Sequence, residues 1–576
     1  MIISLFRKLF DPLRKGFKLW YTQKTHAVLI EVLRRRIIIS CVFGIMIFSV
    51  VSYKLADIMI IHNNPSISKK ISRNEDDPVI KADILDRNGE IIATSVVTAS
   101  CYADPSVILD INEASEILSK MPGFPTKDKI KQKLKDRNKH FVWISRHVAP
   151  KLQQDILDLG IPGIFFKKDY KRIYPQGELF SHVVGCTDID GNGICGIEKK
   201  FNNELITNSI SERNLRLSLD MRIQAIIHEE LKNAVEKYKA IGGNAIVMNM
   251  KGEIISMVSL PDFDPNNLRQ EDVVSMFNRN TLGAYEPGST FKILNISIAL
   301  EKGTAKINSM FDATTPIRIG RFFIKDFKGK NRALSLAEAF VFSSNIAAVK
   351  ISQTFGPSVQ KEFMKKFGIL DRVSLEIPEI GSPIVPSNWC EASSWTISYG
   401  YGVSVSPIQL LTAVSSIVNN GNKIHPTLIY GRSFNENSQQ MMNHKVVSNE
   451  VSSIVRELMR AVVKFGTAKK ANVEGCEIFG KTGTAYKISK KGYGSDKNRA
   501  RITTFLGGFP KNNPKYMIIV MLDDPKPIEG TYGYSTAGWN AAPTAGQILK
   551  RIVPLLNDDP EEEESELQVA KYINLG

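Results

Sequence analysis

The longest uninterrupted apolar stretch runs from Ile37 to Tyr53 and contains no charged residue. It lies at the short end of the roughly 17–25 residues a spanning helix needs, so it predicts a membrane helix. That helix extends to Ile61 if Lys54 and Asp57 reach for the interface. A cleaved signal would have a shorter apolar region followed by a small-residue cleavage site, and the sequence has neither. The polar segment Asn63–Asp77 then reads as a linker. From Val79 to about Arg222 short alternating stretches predict strands and turns, with Ala82–Ala93 a hairpin around Asn88-Gly89. Asn244–Asn249 and Glu253–Val258 alternate about Lys251-Gly252 and predict a second hairpin. Helical periodicity follows to about residue 470, and three strands, Cys476–Tyr486, Ile502–Phe509 and Tyr516–Asp523, close the pattern. Strands at both ends with helices between them predict an α+β domain: an antiparallel sheet packed by a helical subdomain, with a cleft between the two.

The 576 residues therefore divide into a basic leader (1–36), an anchor (37–61), a pedestal (62–222), a second domain (223–556) and an acidic tail (557–576). Charge orients the anchor. Residues 1–36 hold nine Lys/Arg against Asp11 and Glu31, which keeps that end cytoplasmic and sends the bulk of the chain across the membrane. Much of the formal +16 is thus a topology signal, and no basic helix interleaved with aromatics points to nucleic acid. Met1–Leu19 reads either as a membrane-surface segment or as a disordered leader. The run Asp558–Glu566 reads as disordered. Six cysteines are too few for a disulfide scaffold. Cys186 and Cys195 flank Thr187–Ile194 and read as buried thiols or as a bridge formed in an oxidising compartment. No CxxC or histidine cluster suggests a metal.

Three short motifs carry the chemistry: Ser289-Thr-Phe-Lys292, Ser343-Ser-Asn345 and Lys481-Thr-Gly-Thr484. The first two patterns also occur at Ser66–Lys69, Ser358–Lys361, Ser72–Asn74 and Ser433–Asn435, so context selects among them. Ser289 follows the turn Tyr285-Glu-Pro-Gly288 and opens the apolar run Phe291, Ile293, Leu294, Ile296, Ile298 and Leu300. That predicts a helix N-terminus with Ser289 and Lys292 on one face, where unpaired N–H groups favour negative charge on Oγ. Ser343-Ser-Asn345 heads a helix over 346–355. Lys481–Thr484 lies on a strand, where Gly483 leaves room for a substrate backbone. Such a set suits acyl transfer, with Ser289 as nucleophile and Lys292 as its proton acceptor. Lys292 then has to be neutral, a fall from about 10.4 toward 7 worth about 4 kcal/mol, within reach of burial beside Lys481.

With these motifs, the chain resembles the class B penicillin-binding proteins over about residues 79–556. The resemblance includes Asp86-Arg-Asn-Gly89, Arg172-Ile-Tyr-Pro-Gln-Gly177, His182-Val-Val-Gly185, Gly196-Ile-Glu198 and Ser259–Asn266. Lys81 stands where many relatives carry Arg. Phe277-Asn-Arg279, Tyr285–Lys292, Tyr399-Gly-Tyr-Gly402 and Ala537–Pro543 look like the division-specific branch of alphaproteobacteria, with the elongation type as the alternative. The resemblance implies a membrane anchor, an elongated pedestal and a serine transpeptidase domain of the β-lactamase kind. It implies a stem peptide ending in D-Ala-D-Ala as substrate, β-lactams as covalent inhibitors, and no cofactor. It further implies an oxyanion hole from the N–H groups of Ser289 and Thr484, Ser343 as proton relay, and Asn345 orienting Lys292. Lys481, Thr482 and Thr484 would hold the terminal carboxylate. The partners it implies are a SEDS-family glycosyltransferase and other division proteins. A β-lactamase, a penicillin-sensing transducer and a catalytically silent scaffold are the other readings.

Overall fold

A computed structural model describes residues 26–56, 80–210, 213–432, 445–487, 499–556 and 567–574. The leader Met1–Leu19, the linker Asn63–Asp77 and the acidic run Asp558–Glu566 lie outside the described residues. The chain divides into residues 1–77 and 78–576. In the first unit one helix, His26–Ala56, contains a stretch, Arg36–Tyr53, long and apolar enough to cross a membrane. Its Ile37, Phe43 and Phe48 side chains are exposed, as lipid-facing positions require. The helix starts ahead of the apolar run because Arg34–Arg36 are themselves good helix formers.

The second unit opens with a sheet built on the long strand Ile91–Ala103. It pairs antiparallel with Ile84–Leu85, Val142–Val148 and Ile164–Ile173, and Leu215–Arg216 joins Ile84–Leu85 in parallel. The turn at Asn88-Gly89 is held by Asp86, which is fully buried. Its carboxylate accepts the N–H groups of Asn88 (2.7 Å), Glu90 (2.9 Å) and Met221 (3.1 Å), tying the hairpin to the helix Met221–Lys237. Glu198, also fully buried, accepts from Lys81 Nζ at 2.9 Å and Arg172 Nε at 2.6 Å. Burial lowers the Lys81 pKa, with the adjacent Glu198 charge opposing. Cys186 and Cys195 are free thiols whose Sγ atoms lie 3.2 Å apart.

A second five-stranded sheet has the order Phe479–Tyr486, Arg501–Phe509, Tyr516–Asp523, Gly242–Asn249, Ile254–Leu260, antiparallel throughout. Every residue of Ile254–Leu260 is buried, so both faces are covered. Met221–Lys237 and Ala541–Ile552 pack against the sheet and each other, and Asn449–Lys464 packs against its Phe479–Tyr486 edge. That edge strand starts at Phe479 rather than Cys476, because Ile478 N–H folds back onto the Cys476 carbonyl (2.8 Å).

Beyond the acidic run the chain is fastened to the domain. Leu567 and Val569 are buried, Ser335 Oγ donates to the Tyr572 carbonyl (2.8 Å), and Asn574 N–H donates to Glu338 Oε1 (3.0 Å). The acidic run stops at Glu566, and two aliphatic side chains just beyond it suffice to fasten the segment. Burying such a side chain contributes about 1.5–3 kcal/mol. Deleting residues 567–576 should therefore lower the calorimetric Tm of the catalytic domain by a few degrees, about 2–4 °C per kcal/mol at most for a domain this large. An unchanged Tm would refute this anchoring role.

Candidate active site

Ser289 sits in a single 3-10 turn, Gly288–Phe291, that runs directly into the helix Lys292–Glu301. The expected helix start is thus a tighter turn, with Ser289 half-buried on it and Lys292 opening the α-helix. The turn presses against the edge strand. A Cβ on Gly483 would lie 2.6 Å from the Pro287 carbonyl, and one on Gly288 2.8 Å from the Thr484 carbonyl. Gly288, at φ +54°, also donates its N–H to the Gly400 carbonyl (3.1 Å). Gly483 therefore makes room for the nucleophile turn, where the sequence reading had given that room to substrate.

Lys292 is 2% exposed and Lys481 fully buried, and the two meet on one hydroxyl. Lys292 Nζ donates to Ser343 O (2.7 Å), Ser343 Oγ (3.1 Å) and Asn345 Oδ1 (2.7 Å). Lys481 Nζ donates to the same Ser343 Oγ at 3.0 Å and to Thr482 O at 3.3 Å. Two ammonium groups cannot share so dry a site without cost. Burial, and then the Lys481 charge, hold the Lys292 pKa well below its ordinary value, while burial brings Lys481 down to about 7. As an ammonium, Lys292 uses three donors on three acceptors. As a neutral amine it keeps two of them and gains a lone pair, the form a proton acceptor needs.

Ser343 reaches both lysines from a left-handed backbone (φ +61°), a conformation that non-glycine residues hold only where the surroundings enforce it. The enforcement comes from Asp326, a residue sequence reasoning missed. Its carboxylate accepts the N–H groups of Asn345 (2.5 Å) and Ile346 (3.0 Å) and the Ser344 hydroxyl (2.7 Å), capping the helix Asn345–Gln353. Asn345 Nδ2 donates to the Lys325 carbonyl (3.0 Å), so its amide is fixed at both ends. Nothing in the sequence around Asp326 marks it, because its partners come from a distant helix. Thr482 and Thr484 are also held: Thr482 Oγ1 bonds Thr467 Oγ1 at 2.5 Å, and Thr484 Oγ1 accepts the Ala537 N–H at 3.1 Å. A cleft of about 640 Å³ brings together Ser289, Ser343, Asn345, Thr482 and Thr484. The buried ends of Lys292 and Lys481 lie behind it. Ser358, the described rival serine, lies in the helix Gly356–Lys366, away from these groups.

Comparison with known proteins gives this arrangement a family. Residues 243–550 match the penicillin binding protein transpeptidase domain, and residues 77–209 the penicillin-binding protein dimerisation domain. The chain is a class B penicillin-binding protein. It is 30% identical over 486 residues to the probable peptidoglycan D,D-transpeptidase FtsI of Caulobacter vibrioides, covering 83% of this chain and 81% of that protein. It is 29% identical over 516 residues to the peptidoglycan D,D-transpeptidase FtsI of Escherichia coli K12, covering 83% and 84%. Penicillin binding protein 3 of Mycobacterium tuberculosis, solved in complex with aztreonam, shares the fold at a TM-score of 0.63 and 22% identity, over 84% of this chain and 98% of that one. Among the described residues of this penicillin-binding protein, no group of three or more His, Cys, Asp or Glu side chains is placed to hold a metal.

Proposed function

We propose that this class B penicillin-binding protein is a septal peptidoglycan D,D-transpeptidase that works through an acyl ester on Ser289. The observation that carries the reading is the convergence of two buried lysines on Ser343 Oγ beside a half-buried Ser289 in one cleft. Ser289 Oγ attacks the penultimate D-Ala carbonyl carbon while neutral Lys292 takes its proton. Backbone N–H groups of Ser289 and of Thr484, on the strand against which the nucleophile turn packs, stabilise the oxyanion. The proton passes by way of Ser343 to the departing D-Ala amine. A second stem-peptide amine then attacks the ester and restores Ser289. Lys481 and the hydroxyls of Thr482 and Thr484 receive the terminal carboxylate; Thr484 Oγ1 accepts from Ala537 and so keeps its own proton to donate.

The FtsI relatives and the segments Tyr285–Lys292 and Ala537–Pro543 support the septal assignment over the elongation type. In this reading the basic leader stays cytoplasmic, the catalytic domain is periplasmic, and the span and pedestal meet a SEDS-family glycosyltransferase and other division proteins. Fluorescent penicillin should label the protein once per chain, and the adduct should survive for the duration of a chase with excess unlabelled drug. The opened drug keeps its leaving group tethered, which blocks the acceptor amine. Rapid loss of label would indicate a β-lactamase. Depletion in cells should give filaments, and rounding would favour the elongation type.

A further inference from the structure

The cleft carries more positive charge than the catalytic steps use. Lys328, Lys469, Lys470 and Arg501 all line it, and Asp326 is the one carboxylate among the described lining residues. Asp326 is spent on Ser344, Asn345 and Ile346. The three lysines form no ion pair among the described residues. Instead Lys470 Nζ stands 3.8 Å from the centre of the Trp539 ring and Lys328 Nζ 4.6 Å from that of Tyr534. The two rings stack 6.1 Å apart at 12°. The result is a continuous wall of cation, ring, ring and cation along one side of the cleft.

The position of this wall selects its ligand. Thr467, two residues before Lys469, bonds Thr482, and Ala537, two before Trp539, bonds Thr484. The wall is therefore built onto the strand residues that receive the terminal carboxylate, the side toward which D-Ala departs. Attack on the ester is the chemical reverse of that departure. The acceptor nitrogen bonds to the carbonyl carbon, the bond from that carbon to Ser289 Oγ breaks, and the amine proton returns to Oγ through Lys292. The acceptor amine has to enter where the leaving amine went, so the rest of the acceptor lies along this wall.

We propose that Lys469, Lys470 and Trp539 form the acceptor subsite, and that the acceptor is a peptide amine carrying free carboxylates. This rests on the transpeptidase reading. Lys469 and Lys470 are solvent-exposed along the cleft, where cations without a carboxylate partner concentrate anionic ligands over neutral ones through an attraction that salt screens.

The test uses the full-length protein in detergent, a synthetic D-alanyl thioester as acyl donor, and a tripeptide acceptor with a side-chain amine. The acceptor is prepared once with free carboxylates and once as the carboxamide. Wild type should prefer the free acid, and added salt should shrink the preference. Lys469→Gln combined with Lys470→Gln should raise the acceptor KM for the free acid about ten-fold or more and leave the carboxamide within about two-fold. Acylation by the thioester, which needs no acceptor, serves as the folding control. Equal effects on the two acceptors, or no effect on either, would overturn the subsite. Failure of the wild type to form the acyl ester would overturn the transpeptidase reading itself, and the subsite with it.

Discussion

Ser289→Ala is expected to abolish penicillin labelling altogether, and Lys292→Ala to slow it by about 100-fold or more, the scale of lost general-base catalysis. Ser358→Ala and Ser66→Ala should leave labelling intact, because neither Ser-x-x-Lys match has the sequence context of Ser289, a turn leading into an apolar helix. Mass spectrometry of the labelled digest checks the assignment, and an adduct surviving in Ser289→Ala would refute it. The pH profile offers a second readout. Lys292 acts as a neutral amine, and burial beside Lys481 holds its pKa well below 10.5. Acylation should therefore rise with pH as Lys292 loses its proton. Lys481 acts as a cation, with burial bringing its pKa to about 7. Substrates held by their carboxylate should lose affinity as pH climbs past that value, giving a bell-shaped profile. Lys481→Ala should remove the alkaline limb and move the acid limb to higher pH, because the Lys481 charge no longer helps to depress the Lys292 pKa. A profile still rising through pH 10 would mean that Lys292 keeps its proton and cannot be the base.

Glu198→Ala is expected to be the most destabilising single change outside the catalytic domain, at about 3–5 kcal/mol. The carboxylate is completely buried and pairs with Lys81 and Arg172, whose side chains are each 2% exposed. Removing it leaves two cations facing each other without water. Glu198→Gln should cost less, since the amide oxygen can still accept one of the two hydrogen bonds. Urea denaturation of the purified protein measures both, with penicillin labelling following the catalytic domain separately. A loss below about 1 kcal/mol for Glu198→Ala would show that water reaches the two cations.

Legibility in the sequence followed the range of the interactions. The hairpins at Gly89 and Gly252 and the strand Tyr516–Asp523 depend on neighbours a few residues away, and the structure has them where patterning puts them. Asp326 was invisible because an acidic residue beside Phe327 and Lys328 carries no local signal, and its purpose lies in a helix that only the fold brings near. Gly483 was visible, but a missing side chain does not by itself say that the nucleophile turn is a neighbour that needs the space. The strap beyond Leu567 was hidden behind the charge run ahead of it, which dominates any composition window.

The glycines around the nucleophile turn have an evolutionary consequence. Side chains at Gly288 or Gly483 would strike backbone carbonyls, and backbone cannot step aside as a flexible side chain can. That flank of the cleft is closed to adaptation: a population under antibiotic selection has no viable substitution to make there. Escape would have to be sought farther along the cleft, at side chains such as Tyr534 and Trp539 that line it outside the nucleophile turn. A drug whose affinity came from the closed flank would face fewer routes to resistance than one leaning on those rings.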